Sequence, residues 1–163
     1  MTSEQFNAIF PDAFSPNVVK PFIHRGEWAI HDVVRFLCHE ATASVQIATF
    51  SISEDSLRTL FFLVEEKKIS SLHLLLDTTV KRHKLDMLLF ARNISPNIAI
   101  DSVHAKITLL RFQDKRCFGI VGSANLNLNA RWESGFYFSS GEVFDFFSNK
   151  FDFAYSNAMI YDN

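Results

Sequence analysis

Long apolar runs are missing from this chain of 163 residues. None approaches the roughly 20 residues that a membrane-spanning helix needs. The start, MTSEQFNAIFPDAF, carries acids and no basic lead-in, so a secretory signal is not expected. Cysteine is scarce, with only Cys38 and Cys117, far apart in the chain. That excludes a disulfide framework and offers no zinc-ligand spacing. Both are expected as core thiols in a reducing, cytoplasmic compartment. Excess basic charge is missing too. A formal net charge of -2 argues against a broad basic surface while leaving room for a local basic patch. Repeats and low-complexity segments are absent.

What the chain has in quantity is phenylalanine, 18 of them. A monomer of this size would struggle to bury them all, so an apolar self-association surface is expected. The length suits one domain. Residues 1–22 hold Pro11, Pro16 and Pro21 with little periodicity and read as an irregular arm anchored by Phe6, Phe10, Phe14 and Phe22. The folded domain is expected over 23–163.

From Glu27 to Glu40 the apolar residues Ile30, Val33, Val34, Leu37 and Cys38 recur at helical spacing, with His31 and His39 as solvated flanks. SVQIATFS (44–51) reads as a strand. Ser53 caps the next helix, whose stripe is Leu57, Leu60, Phe61 and Val64. A second strand spans Ser70 to Leu76, and a third helix is expected from about Val80 to Arg92. Its opening basic cluster Lys81, Arg82, His83 and Lys84 would oppose the dipole at a helix N-terminus, which marks Lys81, Arg82 and Lys84 as candidate phosphate contacts. A short strand follows Pro96. Strand–helix–strand crossovers in this length predict an α/β fold with parallel pairing. The last helix, Gly141 to Tyr155, puts Phe144, Phe147, Phe151 and Ala154 on one side and leaves Phe146 and Phe153 for an interface, a candidate surface for a protein partner.

The chemistry concentrates in SVHAKITLLRFQDKRCFGIVGSANLNLNARWESG, 102–135. In an extended strand His104 and Lys106 share a face. Polar residues around Asp114 form a turn, and Cys117 to Val121 returns as the second strand of a hairpin, ending at Gly122. Ser123 and Asn125 then share a face beside His104. An imidazole, an ammonium, a hydroxyl and an amide would converge at one strand end, a receptor for a phosphate. Glu133 opens the next strand and could fix the histidine's tautomer. Arg131 is a lesser candidate for phosphate.

This stretch resembles the phospholipase D superfamily, whose signature is His-x-Lys with a following aspartate, then Gly-Ser-x-Asn. His104 and Lys106 match the first element, Gly122, Ser123, Ala124 and Asn125 the second, and Glu133 a downstream glutamate of the family. Arg111 stands at the aspartate's position. Asp114, whose simpler role is turn capping, is the candidate displaced acid. The resemblance implies a mixed β-sheet flanked by helices and a two-step phosphodiester transfer at a site shared by a homodimer. One His104 would attack phosphorus and the other would protonate the leaving oxygen, with Lys106 and Asn125 of both subunits stabilising charge. It implies no metal or other cofactor. DNA is favoured over lipid, since no basic amphipathic membrane helix is seen. The expected function is a nuclease. The alternative is a phospholipase D-like module that binds nucleic acid or protein without turnover.

Overall fold

The computed structural model describes residues 1–161. Its first half comprises α1 (Ser3–Ile9), β1 (Val19–His24), α2 (Ile30–Glu40), β2 (Ala43–Thr49), α3 (Glu54–Glu65) and β3 (Ile69–Asp77). Next come α4 (Thr78–His83), α5 (Leu85–Ile94), β4 (Ile98–Asp101) and the hairpin β5 (Ile107–Phe112) and β6 (Cys117–Gly122). The chain continues through β7 (Glu133–Phe138), α6 (Gly141–Asn157) and β8 (Met159–Ile160).

The strands form one eight-stranded sheet in the order β1-β7-β6-β5-β2-β3-β4-β8. β2, β3 and β4 run parallel, joined by helical crossovers, while the remaining pairings are antiparallel. Helices α1 to α5 pack on one face and α6 on the other, which splits the core in two. Alternation along each strand feeds both layers: Leu110 and Phe112 of β5 enter the larger core, and Leu109 faces α6.

Four features differ from what the sequence suggests. The N-terminal arm is not irregular. Thr2 and Gln5 form a reciprocal capping box on α1, and Phe6 and Phe10 are completely buried. The expected boundary at 22/23 falls inside β1, where Pro21 is tolerated because β1 is the sheet's edge. Residues 162 and 163 of the expected domain lie outside the described residues.

The single helix expected from Val80 is two, broken at Lys84, whose Nζ donates to Ser51 Oγ at 3.1 Å and Ile52 O at 3.0 Å. Lys81, Arg82 and His83 therefore lie in the last turn of α4, where the dipole favours cations, and the argument from an unfavourable N-terminus no longer applies. His31 is not a solvated flank. It is buried, with Nδ1 2.8 Å from Ser56 Oγ, which itself donates to Leu126 O. In line with the aromatic surplus, by contrast, Phe62, Phe136, Phe146 and Phe153 remain exposed.

Burial pushes the Cys38 thiol up to about 12, which fits a core thiol. Burial also holds the imidazoles of His31 and His24 below the usual histidine value. As pH falls through about 6.5, the unfolded chain takes up protons that these native rings resist. The unfolded state then binds more protons than the native state, so stability is full above that pH and declines below it. Melting curves between about pH 7.5 and about pH 5 should show Tm falling on the acid side. The slope should be shallower in His31→Gln; an unchanged slope would remove His31 from this account.

Candidate active site

His104, Lys106, Ser123, Asn125 and Glu133 gather at one end of the sheet, where the parallel strands β2, β3 and β4 terminate. Carboxyl ends of parallel strands are where open α/β sheets bind ligands. The segment 102–106 leaves β4 and leads into β5 without regular structure, so His104 and Lys106 precede the strand they were expected to start. Asp77 positions this segment. One carboxylate oxygen caps α4 by accepting from Thr79 N, and the other accepts from Val103 N, both at 2.8 Å. Burial pulls this carboxyl upward, but those donors outweigh it and hold it below its usual value.

His104 is exposed and Lys106 half-buried. Lys106 Nζ donates to His104 O at 2.6 Å and lies 3.2 Å from Nδ1 and 3.4 Å from Nε2 of the same ring. Phe50 backs both, with its ring centroid 5.3 Å from the imidazole and 5.7 Å from the ammonium. Lys106 O accepts from Gly122 N at 3.3 Å, which carries the hairpin pairing up to the site.

Gly122 faces Gly135 across β6 and β7. A Cβ on Gly122 would collide with Ser134 O, and one on Gly135 with Val121 O. This close approach lets Ser123 N donate to Ser134 O at 2.9 Å while Ser123 Oγ accepts from Ser134 N at 3.0 Å. The same hydroxyl donates to Glu133 Oε2. Asn125 is fixed from the other side. Its Oδ1 accepts from Ser51 N at 3.2 Å and from Thr49 Oγ1 at 3.4 Å. Leu126, buried beside it, locks the connection by donating N–H to Thr49 Oγ1. With its oxygen engaged, Asn125 keeps the Nδ2 amide as a donor with no partner among the described residues.

Glu133 does not pair with His104. It is buried, and its second oxygen accepts from Asn129 Nδ2 at 3.0 Å. Glu133 thus ties the Ser123 loop to Asn129. His24 lies opposite Glu133 in the β1–β7 register and stacks on Trp28 at 3.9 Å. Both of its ring nitrogens are buried without a hydrogen bond, and Glu27 Oε2 stands 3.8 Å from Nδ1.

Asp114 is not a displaced site acid. It lies in the turn at the far end of the hairpin, where it accepts from Arg116 N at 3.0 Å and Nε at 2.8 Å. Arg111 stands roughly 17 Å along β5 from Lys106 at the usual strand rise. It points to the opposite face, donating to Asp145 Oδ1 at 2.6 Å and covering the Phe144 ring. Position 111 therefore belongs to the α6 packing and not to this site. Lys81 lies over the Tyr161 ring, Arg82 is exposed, and Lys84 is tied to Ser51 as described. Lys84 thus reaches the rim through Ser51, the residue that donates to Asn125. Arg131 is exposed, its backbone N–H donating to Asn129 Oδ1. Among the described residues no cluster of histidine, cysteine or carboxylates could hold a metal ion.

A mixed sheet of this order with helices on both faces is the phospholipase D-like α/β fold. In structure the chain is similar to Nuc, a phospholipase D family member from Salmonella typhimurium, with a TM-score of 0.67 and 14% identity over 90% of this chain and 99% of that one. It is similar to NucT from Helicobacter pylori at 0.63 and 14%, over 88% and 100%. It also resembles TrmBL2, an archaeal chromatin protein with a novel mode of DNA binding, at 0.56 and 14%, over 97% of this chain and 58% of that one. No protein-family model and no curated protein sequence matches the chain. At these identities the likeness is one of fold, and the roles of the site residues rest on the geometry.

Proposed function

We propose that the protein is a phosphodiesterase, a nuclease working through a phosphohistidine at a site completed by a second copy of the chain. One observation carries this reading: an exposed imidazole, His104, stands beside the Lys106 ammonium at the sheet end where the Asn125 amide has no partner among the described residues. A phosphodiester there meets a point charge and a hydrogen-bond donor, both suited to its non-bridging oxygens. One imidazole attacks phosphorus and the bond to the leaving oxygen breaks as His104 of the second copy donates a proton to it. Water then attacks the phosphohistidine, giving its proton to that second imidazole and freeing the first. Ser123, fixed by Glu133, orients the loop that presents Asn125.

A second reading, DNA binding without turnover, draws support from the fold shared with a DNA-binding chromatin protein. Labelled single- and double-stranded DNA incubated with the protein in EDTA separates the two. Cleavage is expected, with the rate falling about a hundredfold in Lys106→Ala, the loss typical of one transition-state donor. Cleavage untouched by that substitution would discard this site. Binding without cleavage would select the second reading.

A further inference from the structure

We propose that the site takes single-stranded nucleic acid, and that Trp132 is the platform on which an unpaired base stacks beside the bound phosphate. This rests on the phosphodiesterase reading and names the ligand of that same site.

Trp132 precedes Glu133, the residue that fixes Ser123, so it stands at the same sheet end. A tryptophan ring is the largest apolar surface a side chain can offer, yet this one is 66% exposed, whereas Trp28 is buried. The ring is also held in place. Arg25 lies with its guanidinium carbon 5.9 Å from the ring centroid, and its Nε donates to Ala130 O at 3.4 Å. Gly26, at φ +79°, brings this turn against the Asn129 carbonyl. A base arriving on Trp132 therefore meets a pre-oriented surface, which lowers the ordering cost of stacking.

Two arginines flank the ring, Arg25 through its cation contact and Arg131 through its place next to Trp132 in the chain, with the Glu27 carboxylate beside Arg25. Among the described residues the side chains of Arg25, Arg131 and Lys106 form no salt bridge with a carboxylate, while Arg35, Arg58, Arg111 and Arg116 each do. Glu133, the nearest acid in sequence, is buried on Ser123 and Asn129. Cations beside an exposed aromatic ring are the pattern of single-strand binding, with backbone phosphates on the cations and bases on the ring. In a duplex the base faces are already stacked on each other, so the ring would gain little there.

The test uses the full chain carrying His104→Ala, to suppress turnover, with oligothymidylate, an abasic oligomer of equal length and a blunt duplex as probes. Oligothymidylate should bind about tenfold tighter than the abasic strand, the effect of roughly one stacked base, and quench the exposed tryptophan's emission. Adding Trp132→Ala should erase that preference, and Trp132→Phe should restore part of it. Equal binding of the oligothymidylate and abasic strands, a preference that survives Trp132→Ala, or tighter binding of the duplex overturns the platform. If Lys106→Ala still weakens every probe, the phosphate site stands without it. No binding of any probe removes both readings. A shift from dimer to monomer in Trp132→Ala would assign the ring to an interface between copies and overturn the proposal.

Discussion

If His104 acts as proposed, replacing it with alanine is expected to lower DNA cleavage by at least about a thousandfold, because the nucleophile and the general acid are then lost together. In a site built from two copies the same residue performs both tasks, so the loss cannot be confined to one step. The variant should fold as the parent does, since His104 is exposed and its ring rests against Lys106 and Phe50. Mixing parent and variant copies tests the sharing directly. If each site needs both imidazoles, an equal mixture allowed to exchange has about a quarter of the activity of the same total of parent protein. Independent sites would leave about half. A mixture at half, or a chain that cleaves while sedimenting as a monomer, would rule out the shared arrangement.

Much of this site is visible in the sequence because its parts are local. His104 and Lys106 are two residues apart, Ser123 and Asn125 likewise, and the turn between them carries polar residues that signal a hairpin. The pairing of Ile107 with Val121 then brings the two halves together. Less visible are the groups that act across the fold. Asp77 reaches Val103 N from the end of another strand, and Asn129 reaches Glu133 only after the 123–132 connection has curled back. A carboxylate expected at the same strand end as His104 suggests a pair, but the cross-strand approach at Gly122 and Gly135 gives Glu133 to Ser123 instead.

The same distinction explains the fold. Stripes of Leu and Val at helical spacing identify α2 and α3, whereas the break between α4 and α5 depends on the tertiary contacts of Lys84 with Ser51 and Ile52. Edge strand β1 is hidden by its proline, which periodicity counts against a strand and an unpaired edge tolerates. Arg111 is the most instructive case. Placed in a motif it looks like a missing acid; placed in β5 it is the cation that ties α6 to the sheet through Asp145 and Phe144.

Phe10→Ala is expected to destabilise the chain by about 3–5 kcal/mol, the cost of emptying a buried aromatic position. Phe10 is wholly buried, and its ring meets Phe6 at 5.2 Å, Trp28 at 5.2 Å, Phe118 at 5.8 Å and Tyr137 at 5.1 Å. Those partners belong to α1, the segment just before α2, β6 and β7, so the ring joins the N-terminal segment to the sheet half that carries Gly122 and Glu133. Tyr137 adds a further tie by donating its hydroxyl to Pro11 O at 2.7 Å. For a domain of this size such a loss should lower Tm by about 10 °C or more. Phe153→Ala, at a ring 71% exposed on α6, is the matched control and should change stability by no more than about 0.5 kcal/mol. An N-terminal segment that were merely an attached arm would give Phe10→Ala the same small effect. Equal midpoints for the two variants in urea would therefore show that residues 1–22 are dispensable to the fold, and would separate the aromatic cluster from the positioning of the site.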